Sequence, residues 1–253
     1  MNKYLKNLNR IEFVVTMSCT GKCKHCSQGE HNSNDNIDKV LSAEAIYKIA
    51  KEYNINSVMT FGGEPLLYPE TVFAIHNAAR EMHIPHRQLI TNGYFSKDIS
   101  KIGTVAEMLS ECGVNDILLS VDAFHQETIP TEYVKSFAEN IVKNKLPIRV
   151  HPAWLVSPDD NNEYNIKTKE LLYEFNNLGI ETSNGNVIFP SGNALKYFGE
   201  YFDLTKIDQN PYREDPTDIK AICFSANGDI LGSNIYKQDI SEILSSYSPY
   251  IKY

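Results

Sequence analysis

Apolar and polar residues alternate along the chain with two different periods. Short β-like runs fall at residues 11–16, 57–61, 88–91, 116–121, 148–155 and 186–190, and helix-like stretches with a 3.6-residue apolar spacing lie between them. The stretch after Ser42, SAEAIYKIAKEYN, is one of these. Ser42 is its expected cap, Glu44 sits in the first turn, and Ala45, Ile46, Ile49 and Ala50 make the apolar stripe. Residues 68–82, 98–112, 132–144 and 163–178 repeat the pattern. From the second run to the fifth, starts recur about every 30 residues, the length of a strand plus a crossover helix, which implies a parallel sheet. Six units are fewer than the eight of a closed barrel, so the expected fold is α/β, an open or partly closed (β/α)6 sheet, that is, at most a partial (β/α)6 barrel.

In such folds chemistry sits at the carboxyl ends of the strands. The unusual residues fall there. Cys19, Cys23 and Cys26 follow the first run, Gly62-Gly63-Glu64-Pro65 the second, Thr91-Asn92-Gly93 the third and Ser120-Val121-Asp122 the fourth. After about residue 193 the pattern changes. Residues 197–218 are aromatic, acidic and turn-rich, and only 221–224 and 229–231 read as strand, with Asn227-Gly228-Asp229 as a hairpin turn between them.

Charge narrows the picture. The 253 residues carry 24 Lys plus Arg against 32 Asp plus Glu, a formal charge of −8. Phosphate binding wants clustered cations, and Lys22 and Lys24 are too small a cluster, so a nucleic-acid partner is disfavoured. At 42% hydrophobic and 22% charged residues, the composition is that of a globular domain with one sizeable core. No apolar run approaches the ~18 residues of a membrane span, and the apolar patch after the N-terminal basic residues is short and broken by Glu12. Neither a span nor a secretory leader is expected, and the expected location is cytoplasmic.

Three of the five cysteines fall in one short loop, MSCTGKCKHCSQGE, with the spacing C-x3-C-x2-C. An odd, clustered count reads as a metal site in a reducing compartment rather than a disulfide framework. Two metal centres are open on the residues alone. Zinc needs a fourth ligand, which His25 or His31 offers, making a non-catalytic zinc-binding or interaction module. A [4Fe–4S] cluster held by three thiolates keeps one iron open for a ligand.

Cys19-x3-Cys23-x2-Cys26 after a first strand, followed by Gly62-Gly63-Glu64-Pro65 after a second, resembles the radical S-adenosylmethionine (SAM) superfamily over roughly residues 10–194. The resemblance implies a [4Fe–4S] cluster on Cys19, Cys23 and Cys26. It implies SAM on its open iron, reductively cleaved to a 5′-deoxyadenosyl radical that abstracts hydrogen from a substrate. It further implies an electron donor such as a flavodoxin or ferredoxin. The residues it assigns to SAM are Gly62, Gly63 and Glu64, the turn at Asn92, and Ser120 and Asp122; Arg149 on the fifth strand is a candidate for the SAM carboxylate. On this reading Gly63→Val blocks SAM and leaves the cluster intact. Tyr94, His125, His151 and Trp154 are barrel-facing candidates for an unidentified small-molecule, peptide or protein substrate.

The chain also departs from the family. IFPSGNA, residues 188–194, resembles a P-x-G-R-A stretch that closes the core, with Asn193 in place of Arg. Residues 195–253 resemble a SPASM or twitch extension of α+β type, yet Gly232 and Ser233 stand where a second Cys is normal. With only Cys112 and Cys223 left over, this extension is expected to hold no auxiliary cluster. Cys112 is expected as a buried small hydrophobe. Tyr197, Phe198, Tyr201, Phe202 and Tyr212 are expected to cover the core, and truncation near Asn193 to cost solubility or SAM binding rather than iron.

Overall fold

Strand β1 (Arg10–Val14) sets the layering through its alternation: Ile11 and Phe13 are fully buried, while Arg10 and Glu12 point the other way. The computed structural model describes residues 2–29, 33–203, 205 and 213–249. The elements after β1 run α1 (Lys39–Glu52), β2 (Ser57–Phe61), α2 (Pro69–Glu81), β3 (His86–Thr91), α3 (Ile99–Cys112), β4 (Asp116–Leu119), α4 (Ala123–Gln126), α5 (Thr131–Lys143) and β5 (Ile148–Val150). They continue with β6 (Ala153–Trp154), α6 (Glu163–Asn176), β7 (Glu181–Thr182), β8 (Asn186–Val187), α7 (Gly192–Phe198), β9 (Ala221–Phe224), β10 (Asp229–Ile230), β11 (Ser233–Asn234) and α8 (Ile240–Ser246). The main sheet has seven strands in the order β7-β5-β4-β3-β2-β1-β9, all paired in parallel. Its outer face carries the apolar core under the helices, and its inner face lines a cavity.

The sheet differs from the sequence expectation on both flanks. The run at 148–155 splits at Pro152, which has no N–H to donate to a ladder, so β6 leaves the sheet and pairs with β8 in a separate two-stranded ribbon. The place beyond β5 goes to β7 instead of the run at 186–190. On the other flank β9, from the stretch after residue 194, pairs with β1, and Phe224 stacks on Phe13 with ring centroids 4.6 Å apart. The first helix begins earlier than expected. Asp38 caps it by accepting from the N–H groups of Val40 and Leu41, and Ser42 is buried inside the first turn, donating to the Asp38 carbonyl.

Beyond β9, the turn at 225–229 closes through Ser225 N–H to Asp229 O at 2.9 Å, but the ladder lies between β10 and β11 across Leu231 and Gly232, both left-handed. Gly232 thus serves the turn. Phe198 and Phe202 pack into a small apolar cluster with Phe124, Leu155 and Ile188; Tyr197 and Tyr201 are exposed, and Tyr212 lies outside the described residues. Cys112 is buried on α3. Among the described residues no helix is long and apolar enough to cross a membrane.

Candidate metal centre and cavity

The loop of Cys19, Cys23 and Cys26 leaves β1 over the rim of the sheet, and the GGEP turn after β2 lies directly on its stem. Gly63 N–H donates to Thr16 O and Glu64 N–H to Ser18 O, each at 2.8 Å. A Cβ on Gly63 would stand 2.1 Å from Ser18 O, and one on Gly62, whose φ is +138°, 2.6 Å from Thr16 O. The two glycines are therefore needed to bring one main chain against another. This changes the expected meaning of Gly63→Val, because the first atom displaced belongs to the stem of the cysteine loop.

Glu64 is fully buried and faces the protein, not the cavity. Its carboxylate accepts from Thr91 Oγ1 at 2.7 Å, Asn92 N–H at 2.8 Å and Leu66 N–H at 3.0 Å, tying the turn after β2 to the turn after β3. Burial pushes its carboxyl up to about 7, against the pull of those three bonds. Asn92 carries the connection onward: its side chain donates to Thr20 Oγ1 at 3.2 Å and to Cys19 Sγ at 3.7 Å. Glu64 and Asn92 thus hold the loop from one side.

The cavity, about 780 Å³, opens beneath the loop. Cys19, Cys23, Cys26, Gly62, Gly63 and Asn92 line it from the first three strands, and Ser120, Asp122, His125 and His151 from the next two. Arg149 is turned away, paired with Asp116 at 2.7 Å. Tyr94 stacks on Tyr133 and Trp154 is buried with its Nε1–H donating to Asn184 O; neither lines the cavity.

Asp122 is fully buried, and its oxygens are occupied by protein donors. They accept from His125 N–H and Ala153 N–H at 2.9 Å each and from His125 Nδ1 at 2.8 Å. Burial alone would raise its pKa; the charge and hydrogen bonds of His125, with His25 behind, hold it well below the usual carboxylate range. An ionised Asp122 holds His125 through Nδ1 and fixes the orientation of its ring at the cavity wall. His125, named in sequence only as a barrel-facing candidate, is the side chain that Asp122 orients; the i, i+3 spacing on a short helix was the available signal.

None of the three thiols is in a disulfide; burial, with the charge of Glu64 beside it, pushes Cys19 up to about 12, burial and neighbouring negative charge raise Cys23, and burial raises Cys26. Such thiols ionise when a metal takes the charge. Their spacing separates the two metal readings. Zinc with Zn–S near 2.3 Å draws its sulfurs to roughly 3.8 Å of one another. Among the described residues the group of metal-binding atoms lying mutually within 4.8 Å is His25, Asp122 and His125, not the three sulfurs. Three thiols lining one cavity fit a cluster, whose separate irons would each take one thiolate. His25 packs its ring on Phe124 and His125, and His31 lies outside the described residues.

The sequence profile described as the radical SAM superfamily matches residues 13–193. A "Probable GTP 3′,8-cyclase" of Saccharolobus islandicus (strain L.S.2.15 / Lassen #1) is 27% identical over 220 residues, which cover 83% of this chain and 66% of that protein, so the chain spans just under two thirds of that relative. Among solved structures, Streptococcus suis SuiB bound to precursor peptide SuiA matches with a TM-score of 0.61 at 14% identity, over 95% of this chain and 65% of that one. Native anSMEcpe with bound AdoMet and a Cp18Cys peptide matches at 0.56 and 15% identity, over 94% and 80%. At such identities the two structures share the fold.

Proposed function

The chain belongs to the radical SAM superfamily, and from that premise we propose that its cavity holds a substrate from which a 5′-deoxyadenosyl radical abstracts hydrogen. Membership makes it an enzyme of that class, with a [4Fe–4S] cluster and SAM as cofactors. When bound, the cluster supplies the electron that cleaves SAM. The chain's own residues would do the rest: Cys19, Cys23 and Cys26 would hold the cluster, Gly62 and Gly63 offer the same cavity a wall without side chains, and Ser120 and the Asp122–His125 pair line it from β4 and α4. The electron comes from a carrier such as a flavodoxin or ferredoxin. The stretch after residue 194 acts as an extension without an auxiliary cluster. Its Cys223 sits on edge strand β9, whereas Cys112 is buried on α3, so the two share no site.

The observation that carries the substrate reading is the charge of the cavity. Arg10 is the one Lys or Arg among the described residues that line it, and its Nε lies 2.6 Å from Glu12 Oε1. Among the described residues a triphosphate would meet no unpaired Lys or Arg there, which supports a small molecule or peptide segment of low negative charge as the substrate rather than the GTP in the relatives' name. The anaerobically reduced protein should be given SAM with GTP, or with small-molecule and peptide fractions of its source cells, and 5′-deoxyadenosine quantified. Stimulation by a non-nucleotide fraction and none by GTP is expected. GTP-dependent 5′-deoxyadenosine would overturn the substrate reading, and no 5′-deoxyadenosine under any condition the proposed reaction.

A further inference from the structure

We propose that residues 191–193, which follow β8, are a clasp that keeps the cysteine loop in its cluster-binding shape, with Asn193 as the positioning residue. The inference concerns the cluster's seat and does not depend on the substrate.

The strap donates to main-chain carbonyls of the loop from one backbone N–H and two side chains. Asn193 N–H donates to Cys26 O at 2.9 Å, Asn193 Nδ2 donates to Cys23 O at 3.2 Å, and Ser191 Oγ donates to Ser27 O at 3.2 Å. Between them Gly192 adopts φ +53°, and a Cβ there would lie 2.6 Å from both Gly29 N and Ser27 O and 2.7 Å from Cys26 O. Gly29 is also left-handed, with φ +80°. No side chain fits between the strap and the last turn of the loop.

The loop's internal main-chain bonds are no shorter than those from the strap. Cys26 N–H to Cys23 O and Gly29 N–H to Cys26 O are both 3.3 Å, near the limit of useful hydrogen bonding. Ordering a loop costs backbone entropy at every residue, so bonds from outside bear on whether it is preformed. Thr20 Oγ1 donates to Tyr94 O at 2.6 Å and Lys22 N–H to Thr128 Oγ1 at 3.1 Å, and two asparagines reach the ligands themselves. Asn92 holds the Cys19 end through Thr20 Oγ1 and Cys19 Sγ, and Asn193 holds the carbonyls of the other two ligands. The same strap borders the cavity, since Ile188, Phe189 and Ser191 line it. Truncation near Asn193 should therefore cost iron, contrary to the expectation from sequence.

The test uses the full chain carrying Asn193→Ala or the isosteric Asn193→Asp, which removes the Nδ2 donor. Asn115→Ala, which breaks bonds to Arg87 N and Pro85 O at the opposite end of the sheet, is the control for general destabilisation. After anaerobic reconstitution, iron loss to EDTA should be about tenfold faster in both Asn193 variants. The cluster's midpoint potential should be displaced in both and unchanged in Asn115→Ala. In the metal-free variants, amides of residues 19–29 should exchange hydrogen faster while β3 and β4 are unaffected. Native iron retention, potential and exchange in both variants would overturn the clasp. Should both variants fail to fold, the unaltered metal-free chain decides: a protected Asn193 amide supports the clasp and an unprotected one refutes it.

Discussion

Glu64 shows what one buried carboxylate does for two turns. Its oxygens accept from Thr91, Asn92 and Leu66, so Glu64→Gln places an amide NH2 against a donor and should cost about 1–3 kcal/mol, read as a lower urea midpoint. The group also titrates. Its folded pKa of about 7 lies above the ordinary 4.5, so the stability it confers is full below pH 4.5 and is lost as pH rises through 7. Glu64→Gln should remove that slope from the stability profile; an unchanged slope would show that the carboxyl is not the titrating group. Gly63→Ala is a sharper test. The methyl must push Ser18 O from 2.1 Å, so iron per chain should fall together with SAM binding, whereas retained iron would return Gly63 to a purely ligand-facing role. GGEP was readable as a motif, but a motif does not say whether its side chain faces ligand or protein.

At the level of elements, two contacts join segments that the sequence pattern leaves separate. His76 on α2 is fully buried, meets Thr60 Oγ1 of β2 at 2.9 Å, and is held by burial at about 3. A histidine with a depressed folded pKa confers stability that is full above the ordinary 6.5 and falls with decreasing pH. The acid limb between pH 6.5 and 4 should therefore be shallower in His76→Leu than in the native chain, by urea titration at successive pH values. Phe224 on β9 is fully buried and stacked on Phe13. Phe224→Ala should cost about 3–5 kcal/mol if β9 belongs to the core sheet, and less than 1 if it is accessory. Helix stripes and strand runs were legible because each depends on near neighbours in sequence. The position of β9 was not, since a four-residue strand fits either a local hairpin or the free edge of β1.

On the scale of the whole molecule, the cysteines set the metal content. With Cys112 buried on α3 and Cys223 on the edge strand, the reconstituted chain should bind about four irons, one [4Fe–4S] cluster; about eight by iron assay would reveal a second cluster. The chain order of strands, helices and cysteines, and with it the partial barrel and the placing of four unusual segments on one rim, was determined by the sequence alone, because hydrophobic period and turn chemistry act over a few residues. Only the tertiary structure decided what those segments touch. It turned Glu64 and Asn92 inward to hold the loop, made Asp122 the support of His125, paired Arg149 with Asp116, and laid Asn193 on carbonyls some 170 positions earlier in the chain. Those contacts depend on the relative placement of strands, and a side chain's partner across a sheet is set by register and curvature, which no local pattern encodes.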